Sequence, residues 1–164
     1  LVVLDAFTKT YGMAGVRLGY CMCGDMSLRE RIISVSQPWS VSSVAQEAGI
    51  SALREKEYIE RSRRLIFEEK KFLVNEFERM GLEVIGCEAN YIFFHSKIPN
   101  LREMLCSEGL LIRDCSNYRG LVEGYYRIGV RKHADNLMLT SALSKIERKV
   151  SESGSHTVHC GRND

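Results

Sequence analysis

The stretch FTKTYGMAGVRLGY, Phe7 to Tyr20, decides how the chain is read. It follows LVVLDA, an apolar run with two valines that predicts a buried strand. The next residues, TKTYGMAG, predict a loop with one helical turn, and VRLGYCMC predicts a second buried strand. A lysine, Lys9, therefore stands where a strand ends, with Thr8 before it and Arg17 eight residues on. Open α/β sheets bind ligands at strand ends of this kind. A buried amine there becomes a nucleophile toward carbonyls, because low dielectric disfavours its charged form. Arg17 adds a planar cation suited to phosphate, and Gly12 and Gly15 allow close backbone approach. Amine, hydroxyl and guanidinium together fit a phosphorylated aldehyde such as pyridoxal 5'-phosphate. The competing reading is an exposed lysine beside an ordinary salt-bridged arginine, which spacing alone favours.

The rest of the chain is ordinary for a globular protein. It has 164 residues, 45% apolar and 27% charged, with a formal net charge of +2. That balance provides no field for nucleic acid or an anionic membrane surface, and no patch interleaves aromatic with basic residues. No apolar run is long enough to span a bilayer, and LVVLD has no basic leader, so a cytoplasmic protein is expected. Six cysteines show no Cys-x-x-Cys spacing and are expected as buried thiols in a reducing compartment. Residue 1 is leucine and lies in a predicted strand that needs neighbours, so the C-terminal part of a longer protein is expected.

Beyond the opening strands, SLRERIISVSQ predicts a helix with Ser27 as N-cap and Glu30 closing a capping box, ended by Pro38. A second helix covers VSSVAQEAGISALRE, with Gly49 at a close packing point. Residues 55–80 form one long amphipathic helix, stopped by Gly81. LEVIGCE, NYIFFHS, LLIRDCS and YYRIGVR then predict short strands, with helices over LREMLCSEG and HADNLMLTSALSKIERKV. This is a small sheet with helices on one face. The expected organisation is an α/β part at 1–54, a connecting helix at 55–80, a small α+β domain at 81–150 and a disordered tail at 151–164. Within that tail His156, His159 and Cys160 could be drawn as metal ligands, but a disordered end is the simpler reading and the outer support a site needs is missing, so no metal is expected.

TKTYGMAGVRLGY resembles the lysine segment of the aspartate-aminotransferase-like pyridoxal-phosphate enzymes. QPWSVSSVA, EANYIFF and LLIRDCSNYRGLVEGYYRIGVR are similar in particular to threonine-phosphate decarboxylases, with histidinol-phosphate aminotransferases as near relatives. The likeness runs from residue 1 to about 148. It implies the end of the family's large coenzyme-binding α/β domain, a connecting helix and the small α+β domain. It makes Lys9 the Schiff-base lysine, places coenzyme phosphate on Thr8 and Arg17, and has Ala6 where the family usually has a serine or threonine. It assigns Arg113 in LIRD to a substrate phosphate and Arg127 in YYRI to the carboxylate. The alternative for each is a structural ion pair with Asp114, Glu123 or a helix end. Tyr91 and Tyr126 read as packing residues, and Asn90 as a possible substrate contact. The implied reaction is decarboxylation of L-threonine O-3-phosphate to aminopropanol phosphate, which feeds cobalamin synthesis, in a homodimer. A related transamination, or a segment inactive by itself, are the other readings.

Overall fold

The computed structural model describes residues 1–155. Two compact units make up the chain, Leu1–Ser62 and Arg63–Asp164. The boundary falls inside the long helix rather than after it.

In the first unit, strands β1 (Val2–Ala6) and β2 (Gly19–Cys23) pair antiparallel, with Val2 opposite Cys23 and Ala6 opposite Gly19. The expectation of buried strands fails here: both are largely exposed, because among the described residues the sheet has two members and no further strand flanks them. Val16 and Arg17, expected in the second strand, instead end a 3-10 turn over Ala14–Val16. Helix α1 (Phe7–Thr10) is the single helical turn after β1. Helix α2 (Met26–Val35) is capped by Asp25, not Ser27: the Asp25 carboxylate accepts from the Leu28 amide at 3.1 Å, and Ser27 lies inside the first turn. An aspartate two residues upstream could satisfy the free amides and add a favourable charge at the positive end of the helix dipole. Helix α3 (Ser43–Arg54) is capped by Ser42, whose hydroxyl accepts from the Ala45 amide.

Helix α4 (Lys56–Arg79) measures about 35 Å at ~1.5 Å per residue. Gly81 follows it at φ +68°, and the Leu82 amide bonds back to the Phe77 carbonyl at 2.9 Å, the expected glycine stop. The second unit has an antiparallel sheet in the order β3 (Glu83–Gly86), β4 (Tyr91–His95), β6 (Tyr125–Gly129), β5 (Arg113–Asp114). Helix α5 (Leu101–Ser107) precedes β5, and α6 (His133–Ser155) closes the chain. Alternation along β4 and β6 puts Ile92, Phe94, Tyr126 and Ile128 on one face. There they meet Leu73 and Phe77 of α4, Leu101 and Leu105 of α5, and Leu143 and Ile146 of α6. The opposite face, bearing Phe93, Tyr125 and Arg127, is not covered by this core. Helix α6 extends through residues 151–155, expected as tail. His156, His159 and Cys160, and with them the drawn metal ligands, lie outside the described residues.

The cysteines correct the composition argument. Cys115 is buried, but Cys21 and Cys106 are exposed and Cys23 and Cys87 half-buried. Residue type biases burial; position on an open strand or helix face decides it.

Candidate functional site

The first group of candidate residues sits in the connection between β1 and β2. The Phe7 amide donates to the Leu18 carbonyl at 3.1 Å, continuing the strand pairing by one rung and pinning both ends of the connection. Inside it the Phe7 carbonyl accepts from Tyr11 and Met13, and Gly12 turns the chain at φ +66°. Phe7 is buried, stacked on Tyr11 at 5.0 Å and edge-on to Tyr20 at 5.8 Å. Gly49 of α3 lies against this clasp: a Cβ there would come within 2.5 Å of Leu18 Cδ2, so the Leu18 side chain would have to turn aside to admit it. The expectation of close packing at Gly49 is met.

Thr8, Lys9 and Arg17 all belong to this connection, at one end of the strand pair. Thr8 is half-buried; Lys9 and Arg17 are exposed. The desolvation expected to activate Lys9 is therefore not supplied by this chain's own packing. Arg17 donates from Nη1 to the Ala14 carbonyl at 3.3 Å and has no ion pair among the described residues. Its backbone is left-handed, φ 56° and ψ 45°.

The second group is in the small sheet. Arg113 of β5 is the direct register partner of Arg127 of β6. Opposed residues of an antiparallel pair project to the same face with Cβ atoms ~5 Å apart, so two guanidinium side chains leave the sheet side by side. Neither makes an ion pair or hydrogen bond through its guanidinium among the described residues, which removes Asp114 and Glu123 as structural partners. Asp114 is instead engaged by Ser116, whose amide donates to Oδ1 at 2.7 Å; that bond, more than the nearby Arg102 and Arg113, holds its carboxyl below the usual aspartate range. Arg127 lies over the Tyr91 ring at 5.0 Å and Arg113 over Tyr118 at 5.6 Å. Arg113, Arg127 and Asn90 line one cavity of ≈ 580 Å³, with Leu110, Ile112 and Met138 as apolar wall. Tyr126 is a packing residue, as expected; Tyr91, expected as another, is instead exposed on the open face beneath Arg127.

Sequence reasoning did not find one structural cluster beside this cavity. Asn136, 2% exposed, donates from Nδ2 to Glu69 Oε2 and to the Arg131 carbonyl, both at 2.9 Å, and its Oδ1 accepts from the Arg131 amide at 3.2 Å. His133 Nδ1 meets Glu69 Oε1 at 3.0 Å. Glu69 is 64 residues before His133, so no local pattern marks the contact.

The family model for aminotransferase class I and II matches residues 1–146. A histidinol-phosphate aminotransferase of Archaeoglobus fulgidus is 35% identical over 147 residues, 89% of this chain and 42% of its own length. The threonine-phosphate decarboxylase of Salmonella typhimurium is 33% identical over 147 residues, 88% of this chain and 40% of its own. The crystal structure of histidinol-phosphate aminotransferase from Clostridium acetobutylicum superposes with a TM-score of 0.85 at 27% identity, covering 91% of this chain and 46% of that one. The chain thus spans less than half the length of the relatives it matches. The donor set of the β1–β2 connection suits the family's coenzyme: an accessible amine for an aldehyde, with a hydroxyl and a guanidinium of open N–H groups for a phosphate. By its match over nearly all of its length, the chain belongs to the class I and II aminotransferases, a family of pyridoxal-phosphate-dependent enzymes.

Proposed function

We propose that the whole enzyme decarboxylates L-threonine O-3-phosphate to aminopropanol phosphate, the amino alcohol phosphate of cobalamin synthesis. The observation that carries the reading is the register-opposed pair Arg113 and Arg127, on an open sheet face and without an ion pair among the described residues. Like charges directly opposite on two strands are destabilising, so such a pair fits a site for anions. A substrate with a carboxylate and a phosphate has one anion for each fork. Arg127 takes the carboxylate and Arg113 the phosphate, which fixes the bond to Cα presented for cleavage.

Lys9 holds the coenzyme, with Thr8 and Arg17 on its phosphate. When bound, pyridoxal 5'-phosphate supplies an electron sink for charge developing at the substrate Cα. The Lys9 amine is the group suited to deliver or accept the proton at that carbon. A homodimer in a cytoplasmic setting belongs to the same proposal, as does a small-molecule substrate. No helix of the described residues is long and apolar enough to cross a membrane.

Transamination of histidinol phosphate or a related substrate is the second reading, supported by the A. fulgidus relative. Incubating the full-length enzyme with threonine phosphate, with and without 2-oxoglutarate, separates the two. Carbon dioxide released without a keto acid is the expected result; glutamate formation instead overturns the decarboxylase reading. Lys9→Ala is expected to abolish the absorbance band at ~400 nm that a lysine-bound aldehyde coenzyme gives.

A further inference from the structure

From the rings beneath the two guanidinium groups we infer that Tyr91 and Tyr118 are positioning residues, which aim Arg127 and Arg113 without neutralising them. The inference rests on the anion-binding reading above. Tyr91 lies on β4 opposite Gly129, so it is the diagonal neighbour of Arg127 on the same sheet face. The Arg127 guanidinium carbon stands 5.0 Å from the Tyr91 ring centre. Arg113 stands 5.6 Å from Tyr118, which is set in a turn whose amide bonds to the Cys115 carbonyl at 3.0 Å. Each cation thus has its own ring, from a different element.

The chemistry of the two possible partners differs. A carboxylate would hold a guanidinium firmly but would occupy its N–H edge and cancel its charge. An aromatic face attracts the cation through its quadrupole and leaves the N–H edge open. Stacking also restricts a long side chain before an anion arrives, so less conformational entropy is lost on binding. Two neighbouring cations repel each other in the empty site, and an attractive ring for each offsets that repulsion. The ring, not the hydroxyl, does this: neither tyrosine hydroxyl has a hydrogen bond to the arginine above it.

The test is calorimetric titration of the full-length enzyme with O-phospho-L-threonine, for wild type, Arg127→Gln, Tyr91→Phe, Tyr91→Leu and Tyr118→Leu. Each leucine variant is expected to bind about two- to fivefold more weakly, the range for an exposed cation–π contact. Tyr91→Phe is expected to bind as wild type does, since it keeps the ring. Weakening by Arg127→Gln with wild-type affinity in both leucine variants overturns the inference and leaves the anion site standing. Phenylalanine as weak as leucine at position 91 also overturns it, since the hydroxyl would then be the active group. A wild-type chain that does not bind overturns the anion-binding reading, and this inference with it. Thermal melts accompany each titration; if Tyr91→Leu fails to fold, Tyr118→Leu, in a surface turn, decides alone.

Discussion

Asn136→Ala is expected to destabilise the second unit by about 2–4 kcal/mol. The side chain makes three hydrogen bonds at 2.9–3.2 Å, one of them to the Glu69 carboxylate. Neutral bonds contribute roughly 0.5–1.5 kcal/mol each and one to a charged group roughly 1.5–3. Their sum is an upper figure, since water can reach part of the Arg131 backbone once the amide is gone. Glu69 is 13% exposed in its side chain and keeps His133 as a partner, so its charge is not stranded. The site matters because Asn136 clamps the chain two residues past β6, the strand that bears Arg127, to α4. Urea unfolding followed by circular dichroism reads the change as a lower midpoint with an unaltered slope. A loss below ~1 kcal/mol at constant slope would refute the view that this buried amide is a tie between α4, β6 and α6.

Gly81→Ala should cost about 1–2 kcal/mol, entirely from the backbone: φ is +68° and an added Cβ meets nothing within 4 Å. A melt unchanged by the substitution would contradict that. Asp114 is held below the ordinary aspartate range chiefly by the Ser116 amide, so its contribution is present above about pH 4 and is lost as pH falls through its lower folded value. Asp114→Asn should therefore flatten the acid limb of a stability–pH curve and leave the neutral region lower but level. Burial raises the Cys115 thiol and hides it, whereas Cys21 and Cys106 are exposed. Iodoacetamide followed by peptide mass spectrometry should label those two in native protein and Cys115 only in denaturant.

Much of this architecture is legible from period and punctuation. The 3.6-residue rhythm ending at Gly81 locates α4, and alternation in NYIFFHS and YYRIGVR places Ile92, Phe94, Tyr126 and Ile128 in the core. The opening strands mislead because LVVLD is apolar through and through, which reads as burial; burial depends on neighbours that a local pattern does not contain. Asp25 displaced Ser27 as cap because two good capping residues stand two positions apart and local preference barely separates them. At the candidate site, residue types were legible and pairings were not. Arg113 and Arg127 each stand out as charges in apolar runs, yet their register depends on the ten-residue connection between β5 and β6, which has no sequence period. Tyr91 looked like filler for the same reason: only the strand pairing brings it under a guanidinium.

Arg17 holds a left-handed backbone, a conformation that asparagine tolerates more readily. On the proposed role of Arg17, heat resistance and coenzyme grip pull position 17 in opposite directions. A directed-evolution campaign that screens only for survival on heating would drift toward asparagine there and yield hardier proteins without the phosphate contact proposed for Arg17, so any such screen needs a coenzyme-retention step beside it.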